Sequence, residues 1–311
     1  MTTALFTHAE CLRHVTPEGH PERVDRLQAI LLAMTRPEFD ALEWREAPQA
    51  ARSELLRVHP AAYVASIEAA IPEHGWTSLD ADTFVTTGSL DAALRSAGGV
   101  VAAVDAVMAG EVGNAFCATR PPGHHAEKSR AMGFCLFGNI AIGAMRALDH
   151  HGLSRVAIVD FDVHHGNGTQ DLLWNEKRVL FASTHEMPLF PGTGAAHETG
   201  SCGNIMNVPL APHTGSVEFR RAMQQQILPA LEDFAPELLL ISAGFDAHKD
   251  DPLAQLELET EDFAWITHEL CDLAARHCGG RVVSTLEGGY DLQALAAGVA
   301  AHVRVLMERS G

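Results

Sequence analysis

Tyrosine is nearly missing from this chain of 311 residues: there are 2 Tyr and 4 Trp, and Phe, Trp and Tyr together make up only 6%. Each tyrosine therefore needs its own account. Basic residues are also few, 22 Lys+Arg against 40 Asp+Glu, and the formal net charge of −18 repels phosphate and argues against nucleic acid as a partner. The 6 cysteines, at positions 11, 117, 135, 202, 271 and 278, form no C-x-x-C pair, which excludes a disulfide scaffold and points to reduced thiols in a cytosol. No stretch approaches the ~20 consecutive apolar residues of a membrane span, and no basic start followed by an apolar run opens the chain. A cytoplasmic protein that neither crosses a membrane nor is exported is expected.

What the chain does have is apolar mass, 47% of its residues, enough to bury one large core or two modest ones. No repeat, low-complexity tract or linker interrupts it, so residues 1–311 are expected to form a single domain. Short apolar runs at 115–118, 155–159, 179–182, 238–242 and 281–286 read as buried strands, with 5–7 and 42–45 as further candidates. Longer amphipathic patterns at 90–109, 139–150, 216–234, 260–277 and 292–307 read as helices. This alternation predicts an α/β fold with a mostly parallel central sheet and helices on both faces.

Ligands of open α/β sheets collect beyond the carboxyl ends of the strands, and here the polar residues gather after four of them. The segments are R-P-P-G-H-H at 120–125, D-F-D-V-H-H-G-N-G at 160–168, G-F-D-A-H at 244–248 and E-G-G-Y-D at 287–291. Histidine is abundant, 18 residues, for which about one adjacent pair is expected by chance; three occur, at 124/125, 150/151 and 164/165. The pair at 150/151 ends a helix, where imidazoles suit the dipole.

Asp162 and His164 are two apart on an extended segment and so share a side, while Asp246 arrives from another strand. Two carboxylates and one imidazole suit Zn²⁺ with an open position. For D-x-H alone, a capping Asp and a hydrogen-bonded His are the plain alternative; the other strand-end motifs weigh against it. His124 and His125 follow a Pro-Pro-Gly bend that would hold a base against activated water, and Asp160 is placed to orient one of them. Tyr290, beside Gly288 and Gly289, is expected to donate to an oxyanion, whereas Tyr63 sits in a helical stretch and reads as structural.

With these residues the sequence resembles the zinc-dependent histone deacetylase family of the arginase/deacetylase fold, in its class II-like bacterial branch. The motifs run over nearly the whole chain: H-P-E-R at 20–23, R-P-P-G-H-H-A at 120–126, G-F-C at 133–135, D-F-D-V-H-H-G-N-G-T at 160–169, F-P-G-T-G at 190–194, A-G-F-D-A-H at 243–248 and E-G-G-Y at 287–290. The resemblance implies one Zn²⁺ held by Asp162, His164 and Asp246, with His125 as general base and acid and His124, paired with Asp160, beside it. Tyr290 would polarise the scissile carbonyl. Gly133, Phe134, Phe190, Asp82, Leu253 and Gly289 would line the substrate channel. Asp160, Asp162, His164, Ser183 and Thr184 would hold a K⁺ or Na⁺ ion, and a second such site would fall at Leu173 and Glu176. Asn167 would stand beside the second histidine, and Arg23 would line an inner exit route for acetate.

The implied reaction is removal of acetyl groups from acetyl-lysine side chains or small acetylated amines, by a protein that leaves room for a homo-oligomer. Acetylpolyamine hydrolysis is the close alternative, since an acidic chain attracts a polycation, although Leu253 stands where polyamine-selective relatives tend to carry Glu. A ureohydrolase with two Mn²⁺ ions is a more distant one, because Asn167 and Ala247-His248 supply no bridging carboxylates and Tyr290 has no role there. An idle binder of acylated ligands would be expected to have lost the tyrosine or a histidine, and neither is lost.

Overall fold

The computed structural model describes residues 1–311. Eight strands form one sheet: β1 (Thr3–Thr7), β2 (Glu43–Glu46), β5 (Asn114–Cys117), β6 (Val156–Asp160), β7 (Val179–Glu186), β8 (Ile205–Leu210), β9 (Leu238–Ala243) and β10 (Val282–Leu286). Their order is β2-β1-β5-β10-β9-β6-β7-β8, and every pairing is parallel. The remaining two, β3 (Trp76–Ser78) and β4 (Phe84–Thr86), make a separate antiparallel hairpin. Three strands, β3, β4 and β8, lie outside the sequence-based expectations. The hairpin is too short to show an alternating pattern, and β8 contains Pro209, tolerable because β8 is an edge strand.

Side chains alternate across the sheet and are buried on both sides. In β9, Leu239 and Ile241 join a core of 44 buried residues, while Leu238 and Leu240 join another of 38 on the opposite face. The first core packs against α1 (Val24–Met34), α9 (Thr260–His277) and α10 (Leu292–Glu308); the second packs against α3 (Ala61–Ala70), α4 (Ser89–Met108) and α5 (Asn139–Asp149). Two short helices, α2 (Arg52–Leu55) and α6 (Asn167–Leu173), complete the second face. The helix expected over 216–234 is continuous but contains a π-helical turn, Met223–Ile227, between α7 (Ser216–Ala222) and α8 (Leu228–Phe234). Tyr63 lies in α3 with its hydroxyl donating to the Leu136 carbonyl at 2.6 Å.

Sheet order positions the site. The four strands followed by polar motifs, β5, β10, β9 and β6, are consecutive neighbours, so segments far apart in sequence open onto one crevice at their carboxyl ends.

Candidate active site

Asp162, His164 and Asp246 bring their ligand atoms within 4.8 Å of one another. His164 Nδ1 lies 3.3 Å from Asp162 Oδ1 and 3.1 Å from Asp246 Oδ2. Backbone amides hold the carboxylates: Gly288 N donates to Asp162 Oδ2 at 2.7 Å, and Val163 N donates to Asp246 Oδ1 at 2.9 Å. Burial alone would lower the pKa of His164, but its hydrogen bonds to the two aspartates outweigh it and hold the imidazole up at about 10. Two buried carboxylates facing one imidazole, with no Lys or Arg bonded to either, call for a cation, and the O,O,N donor set fits zinc with an open position. No further carboxylate joins the group to bridge a second ion.

The His124–His125 turn is anchored from below. Glu287, fully buried, accepts from Gly123 N at 2.7 Å and from His124 N at 3.1 Å, and burial pushes its carboxyl up to about 7. His124 Nδ1 lies 2.9 Å from Asp160 Oδ2, whereas His125 Nδ1 lies 2.7 Å from Asn167 Oδ1. These partners drive the imidazoles apart. Burial disfavours charge on both, but Asp162 and Asp160 raise His124 well above the ordinary range. His125, facing a neutral amide and two neighbouring histidines, is held well below it.

A cavity of about 250 Å³ opens over these groups, lined by Asp82, His125, Gly133, Phe134, His164, Leu189, Phe190, Leu253 and Tyr290. Phe190 packs edge-on to His125, with ring centres 5.2 Å apart, and Phe134 packs edge-on to Tyr290 at 5.9 Å. Gly133 and Phe134 both have positive φ, 55° and 69°. Gly133 is required there because a Cβ would strike the His125 ring. Phe134 tolerates this backbone because the hairpin braces it: Gly133 N donates to Asp82 Oδ1 at 3.2 Å and Phe134 N to Thr83 Oγ1 at 3.0 Å.

Asp160 pairs with Ser183 in the β6–β7 ladder, which sets two of the residues expected around an alkali ion side by side. Ser183 Oγ lies 2.9 Å from His185 Nδ1. At the second position, the Leu173 and Glu176 carbonyls accept from Asn204 Nδ2 at 3.0 and 3.3 Å.

Arg23 is a correction. Its side chain is half exposed and pairs with Asp25 at 3.3 Å, because it precedes α1 on the solvent side. The buried arginines are Arg26, one turn on, and Arg120; both bind Glu22, which is fully buried. Leu189 and Arg26 escaped sequence reasoning as contributors to the site, and Glu287 was read only as the first residue of the E-G-G-Y segment, with no role of its own. Glu287 had a signal, an acid directly after an apolar strand; Leu189 had none.

The match to the family model for the histone deacetylase domain spans residues 20–306. The chain belongs to the histone deacetylase family. It is 46% identical over 281 residues to the histone deacetylase-like amidohydrolase of Pseudomonas aeruginosa, covering 88% of this chain and 73% of that one. It is 38% identical over 299 residues to a probable deacetylase of Archaeoglobus fulgidus, covering 94% and 82%. The crystal structure of the HDA15 HD domain superposes with a TM-score of 0.94 at 36% identity, covering 99% of this chain and 88% of that chain. The family places the protein among deacetylases, hydrolases of amide bonds, on the arginase/deacetylase fold. No helix of this deacetylase is long and apolar enough to cross a membrane.

Proposed function

We propose that the protein is a zinc deacetylase of acetyl-lysine side chains or small acetylated amines, with Asp162, His164 and Asp246 as the ligands. The observation that carries this reading is the Asp162–His164–Asp246 ligand group with two imidazoles held beside it by unlike partners, His124 on the Asp160 carboxylate and His125 on the Asn167 amide. Bound there, Zn²⁺ supplies a Lewis acid that polarises a carbonyl oxygen and acidifies water. His125, with Nδ1 occupied by Asn167, takes the proton of the attacking water at Nε2 and returns it to the departing amine. His124, held by Asp160, contributes positive charge to the developing oxyanion, and the Tyr290 hydroxyl donates a hydrogen bond to it.

Phe134 and Phe190 flank the aliphatic chain of the substrate, and Gly133, Asp82 and Gly289 fix its entry and backbone contacts. Leu253 and Leu189 give the mouth an apolar wall, which favours a lysine-like chain over a polycation. Ser183 and Thr184, with the carbonyls of Asp160, Asp162 and His164, hold a K⁺ or Na⁺ ion. Six unpaired cysteines suit a reducing compartment such as the cytosol.

The test is acetate release by the purified zinc form from an acetyl-lysine peptide and from acetylputrescine, each with a chelator and with His125→Ala. Turnover that favours the peptide and stops under both treatments supports the reading. Preference for acetylputrescine would replace the substrate assignment, and turnover indifferent to both treatments would sink the mechanism. Two tightly bound divalent ions per chain would favour the ureohydrolase alternative.

A further inference from the structure

His125 does not face a carboxylate. Its Nδ1 lies 2.7 Å from Asn167 Oδ1, while Asn167 Nδ2 donates to Glu127 Oε1 at 2.8 Å and approaches Met132 Sδ at 3.3 Å. An asparagine amide can present either end to a ring nitrogen, and the end it presents decides the tautomer. With oxygen toward the ring, Nδ1 carries the hydrogen and Nε2 keeps its lone pair. With the NH₂ end toward the ring, Nδ1 must accept, the hydrogen moves to Nε2, and no lone pair remains for the proton of water. His124 meets no such ambiguity, because Asp160 offers only acceptors.

Glu127 removes the ambiguity for His125. Its carboxylate can only accept, so it is satisfied by the NH₂ end of Asn167 alone; the flipped amide would set two oxygens against each other with no hydrogen between them. Met132 Sδ, a weak acceptor, favours the same end. We infer that Glu127 is a positioning residue of the deacetylase reaction: through Asn167 it holds His125 in the Nδ1–H tautomer, with Nε2 free to accept a proton. Glu127 lies outside the substrate channel. It lines a second, polar cavity of about 400 Å³ with Asn167, Gln170, Asp171, Trp174 and Thr193, so it acts on the base without touching substrate. The inference rests on His125 being the general base.

Two readouts test it. In the first, the metal-free protein carries ¹⁵N-labelled histidine, with His125 assigned by its loss in His125→Gln, and the ring nitrogens report the tautomer. The wild type is expected to show Nδ1–H alone, and Glu127→Leu a mixture of tautomers. The second is kinetic. Losing a hydrogen bond to a charged group corresponds to about a tenfold or greater fall in kcat for Glu127→Leu, with KM nearly unchanged. Glu127→Gln, which keeps an acceptor oxygen, is expected to recover most of that loss.

The decisive variant is Asn167→Asp. A carboxylate at 167 serves His125 directly but is repelled by Glu127, so Glu127→Leu should raise kcat in that background while lowering it in the wild type. A merely structural residue would not reverse sign. An unchanged His125 tautomer in Glu127→Leu, or an equal loss of kcat in both backgrounds, would overturn the inference. Turnover surviving His125→Ala would overturn the base assignment instead, and the tautomer measurement would still decide the geometric relay.

Discussion

The Arg26 guanidinium carbon lies 4.8 Å from the centre of the Tyr290 ring. The same group donates from Nε to the Gly289 carbonyl at 2.5 Å and from Nη2 to the Glu287 carbonyl at 2.6 Å, so it grips the turn that carries the tyrosine. A lysine cannot span both carbonyls and Glu22 with one ammonium. Arg26→Lys is therefore expected to lose roughly 1–3 kcal/mol of stability through unmet buried acceptors. It should also lower kcat more than it alters KM. Urea denaturation with steady-state kinetics checks both, and wild-type values in each would contradict this account of the turn.

Tyr290→Phe removes one hydroxyl and leaves the ring against Phe134 and Arg26. Loss of an oxyanion donor costs about 10²–10³ in kcat, so the variant should turn over slowly with near-normal KM. Its metal content should be unchanged, measured by elemental analysis of the same sample.

Gly288 approaches the ligand carboxylates so closely that a Cβ would collide with Asp246 Oδ2 and Asp162 Oδ2. Gly288→Ala should therefore leave the protein with less than one zinc per chain after dialysis. Gly215→Ala is the control, because its Cβ would meet only the Glu257 carbonyl at 3.7 Å, an ordinary contact. Equal zinc retention by both variants would count against the assigned ligands.

His302 is fully buried, with Nδ1 2.7 Å from Thr267 Oγ1 and Nε2 2.8 Å from Ser284 Oγ, and burial lowers its pKa to about 3. In the unfolded chain the same imidazole titrates near ~6.5. Between those values the unfolded state binds a proton that the folded state refuses. Its contribution is thus fully present above about 6.5 and is lost as pH falls toward 3, reaching roughly 2 kcal/mol by pH 5. His302→Gln should lower stability at pH 7 but lose less between pH 7 and 5 than the wild type. Urea midpoints at the two pH values give the comparison, and parallel losses would refute it.

Much of the site was legible before the fold. D-x-H after an apolar strand marked Asp162 and His164 as a pair, although the structure joins them in a bend beyond β6, where His164 N donates to Asp162 Oδ1 at 2.9 Å, and not by alternation along an extended strand. Pro-Pro-Gly announces a rigid bend before His124. The parallel sheet was legible too, since strands buried on both faces read as unbroken apolar runs. Arg23 shows where such reading stops. At the start of α1, sequence neighbours three residues apart can face solvent or core, and only packing placed Arg26 inside and Arg23 outside.

The sequence alone therefore determined which residue types stand at each strand end, because local periodicity and turn chemistry are written in neighbouring residues. Tertiary structure alone decided which ends meet. The order β5-β10-β9-β6 brings Asp246 to His164 across 82 residues and Gly288 to Asp162 across 126, contacts set by how the sheet is wound rather than by any local pattern. It also decided that Asn167 lies between His125 and Glu127, because the direction of a buried amide depends on the acceptors that surround it in space.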